Sequence, residues 1–231
     1  MDDILLKTLS SVDTPTVCNA IEAAEGKRGF NNFTKGTMLS SAPDAQAVVG
    51  YALTAKIAAK APPEDPPEVI KQRRMAYYKY IANAHKPAVV VIEDCDYPNC
   101  VGAFWGEINT TVHKGLGVSG AVTNGVMRDL GDVPKDFPVI AGSIGPSHAF
   151  VHVKEIGTPV EVMGLSVTEG DLIHADRHGA LVIPSAVLPS LVAAITKLIE
   201  TERLVLDPAR AADFDYDAFE KAWAAFEAAR T

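Results

Sequence analysis

The sequence predicts one α/β domain, and three observations point there. Pro87-Ala-Val-Val-Val-Ile92 is an unbroken, largely β-branched run, the pattern of a strand buried on both faces. A helical pattern follows it, and then a second strand pattern from Gly120 to Asn124, which is the order of a βαβ unit. The length of 231 residues suits one large domain better than two. A chain of that size buries roughly 70% of the surface its unfolded form exposes, so it needs no disulfide or metal staple.

The elements follow in order. The opening is helical, and Ser11-Val12-Asp13-Thr14-Pro15 ends one helix and starts another. Asp13 or Thr14 caps it, and Pro15 suits its first turn. Gly26 stops this helix after about Glu25. Residues 47–58 read as a strand. Four prolines within 62–67 fit neither a ladder nor a helix interior, so that stretch is an exposed loop. A helix from Glu68 to about Ala84 leads to the strand at 87–92. Phe104, Trp105, Ile108, Val112 and Leu116 then recur at helical spacing, which predicts a helix with one apolar face. Gly117 and Gly120 close it, and the next strand begins at Gly120.

Short strands with turn chemistry between them come next, around 138–141, 148–154, 158–163, 171–174 and 180–183. Asp176-Arg-His-Gly179 reads as a hairpin loop with glycine at a positive-φ position. The chain is helical from Pro184 to about Val205, and 214–229 reads as a terminal helix that docks on the body or on another subunit.

Composition narrows the function. Apolar residues make up 48% and charged residues 22%, which excludes disorder and collagen-like structure. The balance of 21 basic to 29 acidic residues gives a net charge of −8, which disfavours a nucleic-acid partner. The densest basic cluster, Lys71, Arg73 and Arg74 with Lys79 nearby, reads as the solvated face of a helix. Met1-Asp2-Asp3 is not the start of a signal peptide. The longest apolar stretch, 186–199, holds Pro189 and Lys197 and is too short to span a membrane. Cys18, Cys95 and Cys100 match no zinc spacing and read as reduced thiols of a cytoplasmic protein.

Gly115-Leu-Gly117-Val-Ser-Gly120 matches GxGxxG, yet its glycines close a helix and open a strand, the reverse of a dinucleotide loop. Position 140, where an acid is wanted, is Ile140. Two of the histidine pairs, His148/His152 and His174/His178, have the four-residue spacing of a metal-binding helix face. They fall in strand or turn segments and read as structural or surface residues.

The richest stretch runs from Gly106 to Asp132. Glu107 lies in the first turn of a helix, where backbone amides are unpaired and the dipole favours an anion. The amides of Gly106, Ile108 and Asn109 suit a small carboxylate. Twenty residues separate Glu107 from Arg128, enough to run down the helix and back up the next strand. Both then reach the carboxyl edge of a parallel sheet, where open α/β sheets bind ligands. Asn124-Gly125-Val-Met-Arg128-Asp129 reads as a turn carrying an adjacent cation and anion. Arginine pairs with carboxylate or enolate oxygens through a planar fork, and one aspartate with several waters can hold Mg²⁺. The competing reading is a surface ion pair among Glu107, Arg128, Asp129 and Asp132.

Glu107-x20-Arg128-Asp129-x2-Asp132 resembles the acid-x20-Arg-Asp-x2-acid motif of the RraA-like superfamily. That group holds class II 4-hydroxy-4-methyl-2-oxoglutarate/4-carboxy-4-hydroxy-2-oxoadipate aldolases and regulators of ribonuclease activity. Asp13-Thr-Pro-Thr-Val17, Val49-Gly50-Tyr-Ala52-Leu-Thr54, Gly120-Ala-Val-Thr-Asn-Gly125 and the hairpin from Gly170 to Pro184 are similar to further family segments. Cys18-Asn19 stand where the family often has Ser-Asp, Asn124 where an aspartate is common, and Glu107 where the best-known aldolases carry aspartate.

The resemblance implies a layered α/β/β/α sandwich like a phosphohistidine swivelling domain. The resemblance covers roughly residues 10–205, and the expected organisation is an RraA-like α/β domain over 1–205 with 206–231 as a C-terminal helical extension. It implies a homotrimer or homohexamer and a metal-dependent lyase, using Mg²⁺ or Mn²⁺, that releases pyruvate from a 4-hydroxy-2-oxo acid and decarboxylates oxaloacetate. Arg128, Glu107 and Asp129 are then the catalytic residues, with Asp129 on the metal. Gly106, Glu107, Ile108, Asn109 and Arg128 bind the 2-oxo acid. The alternative is a non-catalytic regulator that acts by binding another protein. A methyltransferase role is set aside, because no glycine-rich strand-to-helix loop is present to hold a nucleoside cofactor.

Overall fold

The computed structural model describes residues 1–230. Two helices open the chain, α1 (Asp3–Ser10) and α2 (Thr14–Glu25), and both are capped by aspartates. Asp2 Oδ1 accepts from Leu5 N–H, and Asp13 Oδ1 accepts from Thr16 N–H at 2.9 Å. Pro15 sits in the first turn of α2, and Gly26 ends that helix in the left-handed conformation at φ 63°. The short β1 (Leu39–Ser40) and long β2 (Val48–Ala58) follow, then α3 (Pro67–Asn83) and β3 (Ala88–Asp94). The βαβ region holds β4 (Ala103–Trp105), α4 (Glu107–Gly115) and β5 (Val118–Met127). After it come β6 (Val139–Ile144), β7 (His152–Ile156), β8 (Val160–Val162), β9 (Leu165–Val167), β10 (Leu172–Asp176) and β11 (Gly179–Ile183). A single 3₁₀ turn then leads into α5 (Leu188–Ala209), and α6 (Tyr216–Arg230) ends the described chain.

The main sheet has nine strands. Its central path is β1-β6-β5-β3-β2-β10-β11, with β4 added beside β5 and β7 beside β2. The β2–β3, β3–β5 and β5–β6 pairs are parallel. The centre of this sheet is buried on both sides, as the β-branched run required. Val90 and Ile92 of β3 pack with Tyr77 and Ile81 of α3, whereas Val89 and Val91 pack with Val160, Val162, Leu165 and Val167 of the small β8–β9 sheet. A third cluster joins Leu5, Leu9, Val17 and Ile21 to Leu181, Leu191 and Ile195, fastening α1, α2 and α5 to the β10–β11 hairpin. The result is a layered α/β/β/α sandwich with C-terminal helices. The hairpin turns at Arg177-His178, with Asp176 opposite Gly179 at φ 124°. No described helix is long and apolar enough to cross a membrane.

Two expectations need correction. Phe104 and Trp105 are not helical: they form β4, parallel to β5, and the helix begins only at Glu107. Gly106, extended at φ −145° and ψ −171°, breaks the run. The apolar stripe read onto α4 is therefore not its buried face. Thr110 and His113 are buried, while Ile108 is 75% exposed. Asn124-Gly125 is likewise not a turn but part of β5. The β5–β6 register is irregular between Thr123 and Val126. There the Asn124 amide reaches across to β3, accepting from Asp94 N–H at 2.7 Å and donating to Asp94 C=O at 3.3 Å.

His113 fixes the inner face of α4. Its Nδ1–H donates to Asn109 C=O, so Nε2 accepts from Tyr77 O–H at 2.8 Å. Phe104, Trp105 and Phe137 surround the ring. Burial lowers its pKa to about 4. Between the ordinary 6.5 and that value the unfolded chain binds a proton that the folded chain refuses, so stability falls as pH falls through this window. The full loss is about 3 kcal/mol. His174, also lowered by burial, acts in the same direction. Urea unfolding at pH 7, 5.5 and 4.5 should show this decline in the wild type and a shallower one in His113→Gln. Equal slopes would contradict the account.

Candidate functional site

The site forms where β4 and β5 end and α4 begins. Arg128 N–H donates to Trp105 C=O at 2.8 Å, which sets the exits of the two strands side by side. Asp129 then takes a left-handed backbone, φ 56°, which aspartate tolerates better than most residues. Its Oδ2 accepts from Glu107 N–H at 3.1 Å and lies 3.5 Å from Arg128 Nη2. Gly106, the residue at the cap position of α4, supplies no side chain there; Asp129 does so from across the sheet edge. The first intrahelical bond is Thr110 N–H to Gly106 C=O, so the amides of Ile108 and Asn109 lie ahead of it in the same open turn. Asp132 is exposed, and its N–H donates to Asp129 C=O at 2.9 Å, closing the turn after the motif.

A cleft of about 550 Å³ opens beside this junction. Gly106, Ile108, Asn109 and Arg128 line it, while Glu107 and Asp129 adjoin it through the amide–carboxylate bond. A face of α3 carrying Ile70, Arg74, Tyr77 and Tyr78 lines it as well. Tyr78 O–H donates to Asn109 Oδ1 at 2.7 Å, tying α3 to α4. Burial raises the Tyr78 pKa against the opposing pull of Arg74. The segment 148–153 and Pro63 of the proline-rich loop complete the lining.

The histidines divide into two groups, structural and cleft-lining. His174 is buried and structural: one ring nitrogen meets Thr14 Oγ1 at 3.0 Å and the other Leu9 C=O at 2.9 Å. His178 sits at the hairpin turn, 3.1 Å from the Asp176 carboxylate. His148 and His152 instead border the cleft, with their Nδ1 atoms on the carbonyls of Ala149 and Phe150. Arg74 and Tyr78 line the cleft as well, although the sequence does not mark either as a site residue. Their signal was present as the spacing Ile70-Arg74-Tyr77-Tyr78, one helix face, but the basic residues around it read as solvated.

Among the described residues no three His, Cys, Asp or Glu side chains gather as a metal cage. The donor set at the junction is one partly exposed carboxylate, Asp129, whose Oδ2 carries both of its contacts. That chemistry fits Mg²⁺, which keeps most of its waters and takes one or two carboxylates, and does not fit zinc.

Comparison with known proteins bears on this geometry. The RraA-like family, described as Aldolase/RraA, matches residues 14–182. An uncharacterized protein of Methanocaldococcus jannaschii is 27% identical over 202 residues, which is 87% of this chain and 86% of that protein. A putative 4-hydroxy-4-methyl-2-oxoglutarate aldolase of Halalkalibacterium halodurans is 28% identical over 119 residues, 51% of this chain and 56% of its own length. Among solved structures, an uncharacterized protein of Pseudomonas syringae superposes with a TM-score of 0.72 at 21% identity, covering 97% of this chain and 94% of its own. Streptomyces coelicolor RraAS2, described as an unusual member of the RNase ES inhibitor RraA family, superposes with a TM-score of 0.66 at 20% identity, covering 88% and 96%. These structural likenesses establish the fold.

A Cβ on Gly106 would stand 2.5 Å from Asp129 Oδ2 and 3.1 Å from Arg128 Cγ and Nε. Gly106→Ala should push Asp129 off the Glu107 amide and lower stability by about 1 kcal/mol, the worth of a helix cap. Chemical denaturation checks this, and an unchanged midpoint would contradict the packing described.

Proposed function

The chain belongs to the RraA-like (Aldolase/RraA) family, which includes both aldolases and non-catalytic regulators, and we propose that it is a divalent-metal-dependent carbon–carbon lyase. The reaction is cleavage of a 4-hydroxy-2-oxo acid to pyruvate and a second oxo compound. The observation that carries this reading is that Arg128 and the first turn of α4 line one cleft while the Asp129 carboxylate, bound to the Glu107 amide and beside the Arg128 guanidinium, adjoins it.

The substrate's C1 carboxylate sits against the amides of Ile108 and Asn109, beyond Gly106, where the helix dipole favours negative charge. Arg128 donates to the C1 and C2 oxygens through its planar fork. Asp129 is the residue that would hold Mg²⁺ or Mn²⁺, and Glu107 orients a water that takes the proton of the C4 hydroxyl. When bound, the metal supplies further positive charge for the C2 oxygen as charge develops there. The C3–C4 bond then breaks, its electron pair passes into the C2–C3 enolate, and C4 leaves as a carbonyl. Protonation at C3 completes pyruvate. Loss of CO₂ from oxaloacetate forms the same enolate, so decarboxylation accompanies aldol cleavage.

The exposure of Ile108 and Leu130, at 75% and 41%, favours contact with another polypeptide beside the site. We assign that contact to neighbouring copies in a homotrimer or homohexamer. The second reading, a regulator that binds a different protein there, rests on the same surface. Assaying pyruvate release from oxaloacetate and 4-hydroxy-2-oxoglutarate with Mg²⁺ and with EDTA separates the two. Metal-dependent turnover supports the lyase, and none with either compound supports the regulator.

Arg128→Ala should lower kcat by a factor of hundreds, since one oxyanion donor is worth roughly 3–4 kcal/mol. Near-normal turnover of that variant would sink the assignment. Asp129→Asn should lose metal activation while keeping a native circular dichroism spectrum. Mg²⁺ titration of the variant should show no saturable rise in rate.

A further inference from the structure

Arg74 is the charged group of the cleft that the reaction above leaves without a task. It shares a face of α3 with Ile70, Tyr77 and Tyr78, all of which line the cleft. The spacing i, i+4, i+7, i+8 puts these side chains on one side of a helix. The preceding residue is committed elsewhere: Arg73 pairs with Asp65 at 2.9 Å and donates to Val153 C=O. Among the described residues no carboxylate lies within ion-pair distance of Arg74. Its charge is felt at the Tyr78 phenol, which is bonded in turn to Asn109 at the mouth of α4.

The cleft thus carries a cation from each of two elements, Arg128 by α4 and Arg74 on α3, with aromatic and aliphatic side chains in the same lining. In a chain of net charge −8, a lining with two guanidinium groups and no carboxylate favours an anionic ligand. An uncommitted, partly solvated guanidinium has little to offer the fold. Its planar donors match a carboxylate.

We infer that Arg74 is the specificity-determining residue of this cleft, binding a second carboxylate at the end of the substrate remote from the 2-oxo acid group. The inference rests on the lyase reading for the orientation of the substrate. It selects oxo diacids over oxo acids of the same carbon count whose far end is a methyl group. Charge-assisted hydrogen bonds of this kind change affinity on the order of 10- to 100-fold.

The test uses a pair of compounds that lack the 4-hydroxyl and cannot undergo aldol cleavage. 2-Oxoglutarate and 2-oxopentanoate differ only in the far carboxylate. Calorimetric titration of the intact protein with each, in excess Mg²⁺, should give a tighter Kd for the diacid. Arg74→Gln should shrink the ratio of the two Kd values about 10-fold or more, and Arg74→Lys should restore part of it. The ratio of kcat/KM for 4-hydroxy-2-oxoglutarate over 4-hydroxy-2-oxopentanoate should move the same way. Ratios unchanged in Arg74→Gln overturn the inference, and the lyase reading stands if the wild type still turns over. If the wild type cleaves neither hydroxy acid yet the binding ratio responds to Arg74, the lyase reading fails and the Arg74 assignment survives. Arg74 is exposed and outside the packed core, so folding of these variants is not in question.

Discussion

The arrangement at the sheet edge depends on one interlock, a carboxylate from the end of one element capping the helix that begins beside another. Glu107 N–H needs an acceptor, and Gly106 has no side chain to provide one. Asp129, 22 residues later, provides it. Three conditions make that possible. Gly106 leaves room where a Cβ would collide with Asp129 and Arg128. Asp129 accepts a positive φ, and Arg128 N–H is held on Trp105 C=O so the strand ends cannot slip. With these met, the guanidinium of Arg128 lies beside the carboxylate and still lines the cleft.

The rest of the fold holds this junction still. The inner face of α4 is polar by composition, with Thr110 and His113, yet both are satisfied. Thr110 Oγ1 donates to Gly106 C=O and to Glu107 C=O, and His113 uses both ring nitrogens. Burial among aromatic rings disfavours the charged imidazole, so the packing that positions α4 weakens as pH falls. Below the junction, the Asn124 amide bridges β5 to β3 where the regular ladder breaks. The strand that leads to Arg128 is therefore held by backbone pairing to β3, β4 and β6 and, in addition, by this side-chain bridge.

The parts of this that sequence made legible are those governed by local chemistry. Asp13 and Pro15 mark a helix start, and Gly26 marks its end, because each acts within one turn. The Val-rich run reads as a central strand because both its faces are apolar. The return of Arg128 to the level of Glu107 follows from the geometry of a βαβ unit. What sequence concealed depends on partners far along the chain. Phe104 and Trp105 look helical by spacing, and only the parallel pairing of β4 with β5 makes them a strand. Asn124-Gly125 has the composition of a turn, yet the Asp94 backbone holds it extended. Arg74, His148 and His152 come to the cleft through the packing of α3 and β7 against β2 and β4, which no local pattern encodes.

The ion pair between Arg128 and Asp129 adds little to folding, which agrees with the ligand-binding role proposed for it above. At 3.5 Å, with side chains 32% and 29% exposed, such a pair contributes about 0–1 kcal/mol to folding. Asp129 already meets its structural need by capping α4, for which a neutral acceptor such as asparagine serves nearly as well. The fold alone therefore requires neither the full negative charge at 129 nor the adjacent cation at 128. Both contacts of Asp129 fall on Oδ2, which leaves Oδ1 uncommitted. A cation held there and an anion held by Arg128 would each neutralise a charge that the protein leaves half-satisfied. Binding both together removes the mismatch that either one alone would leave.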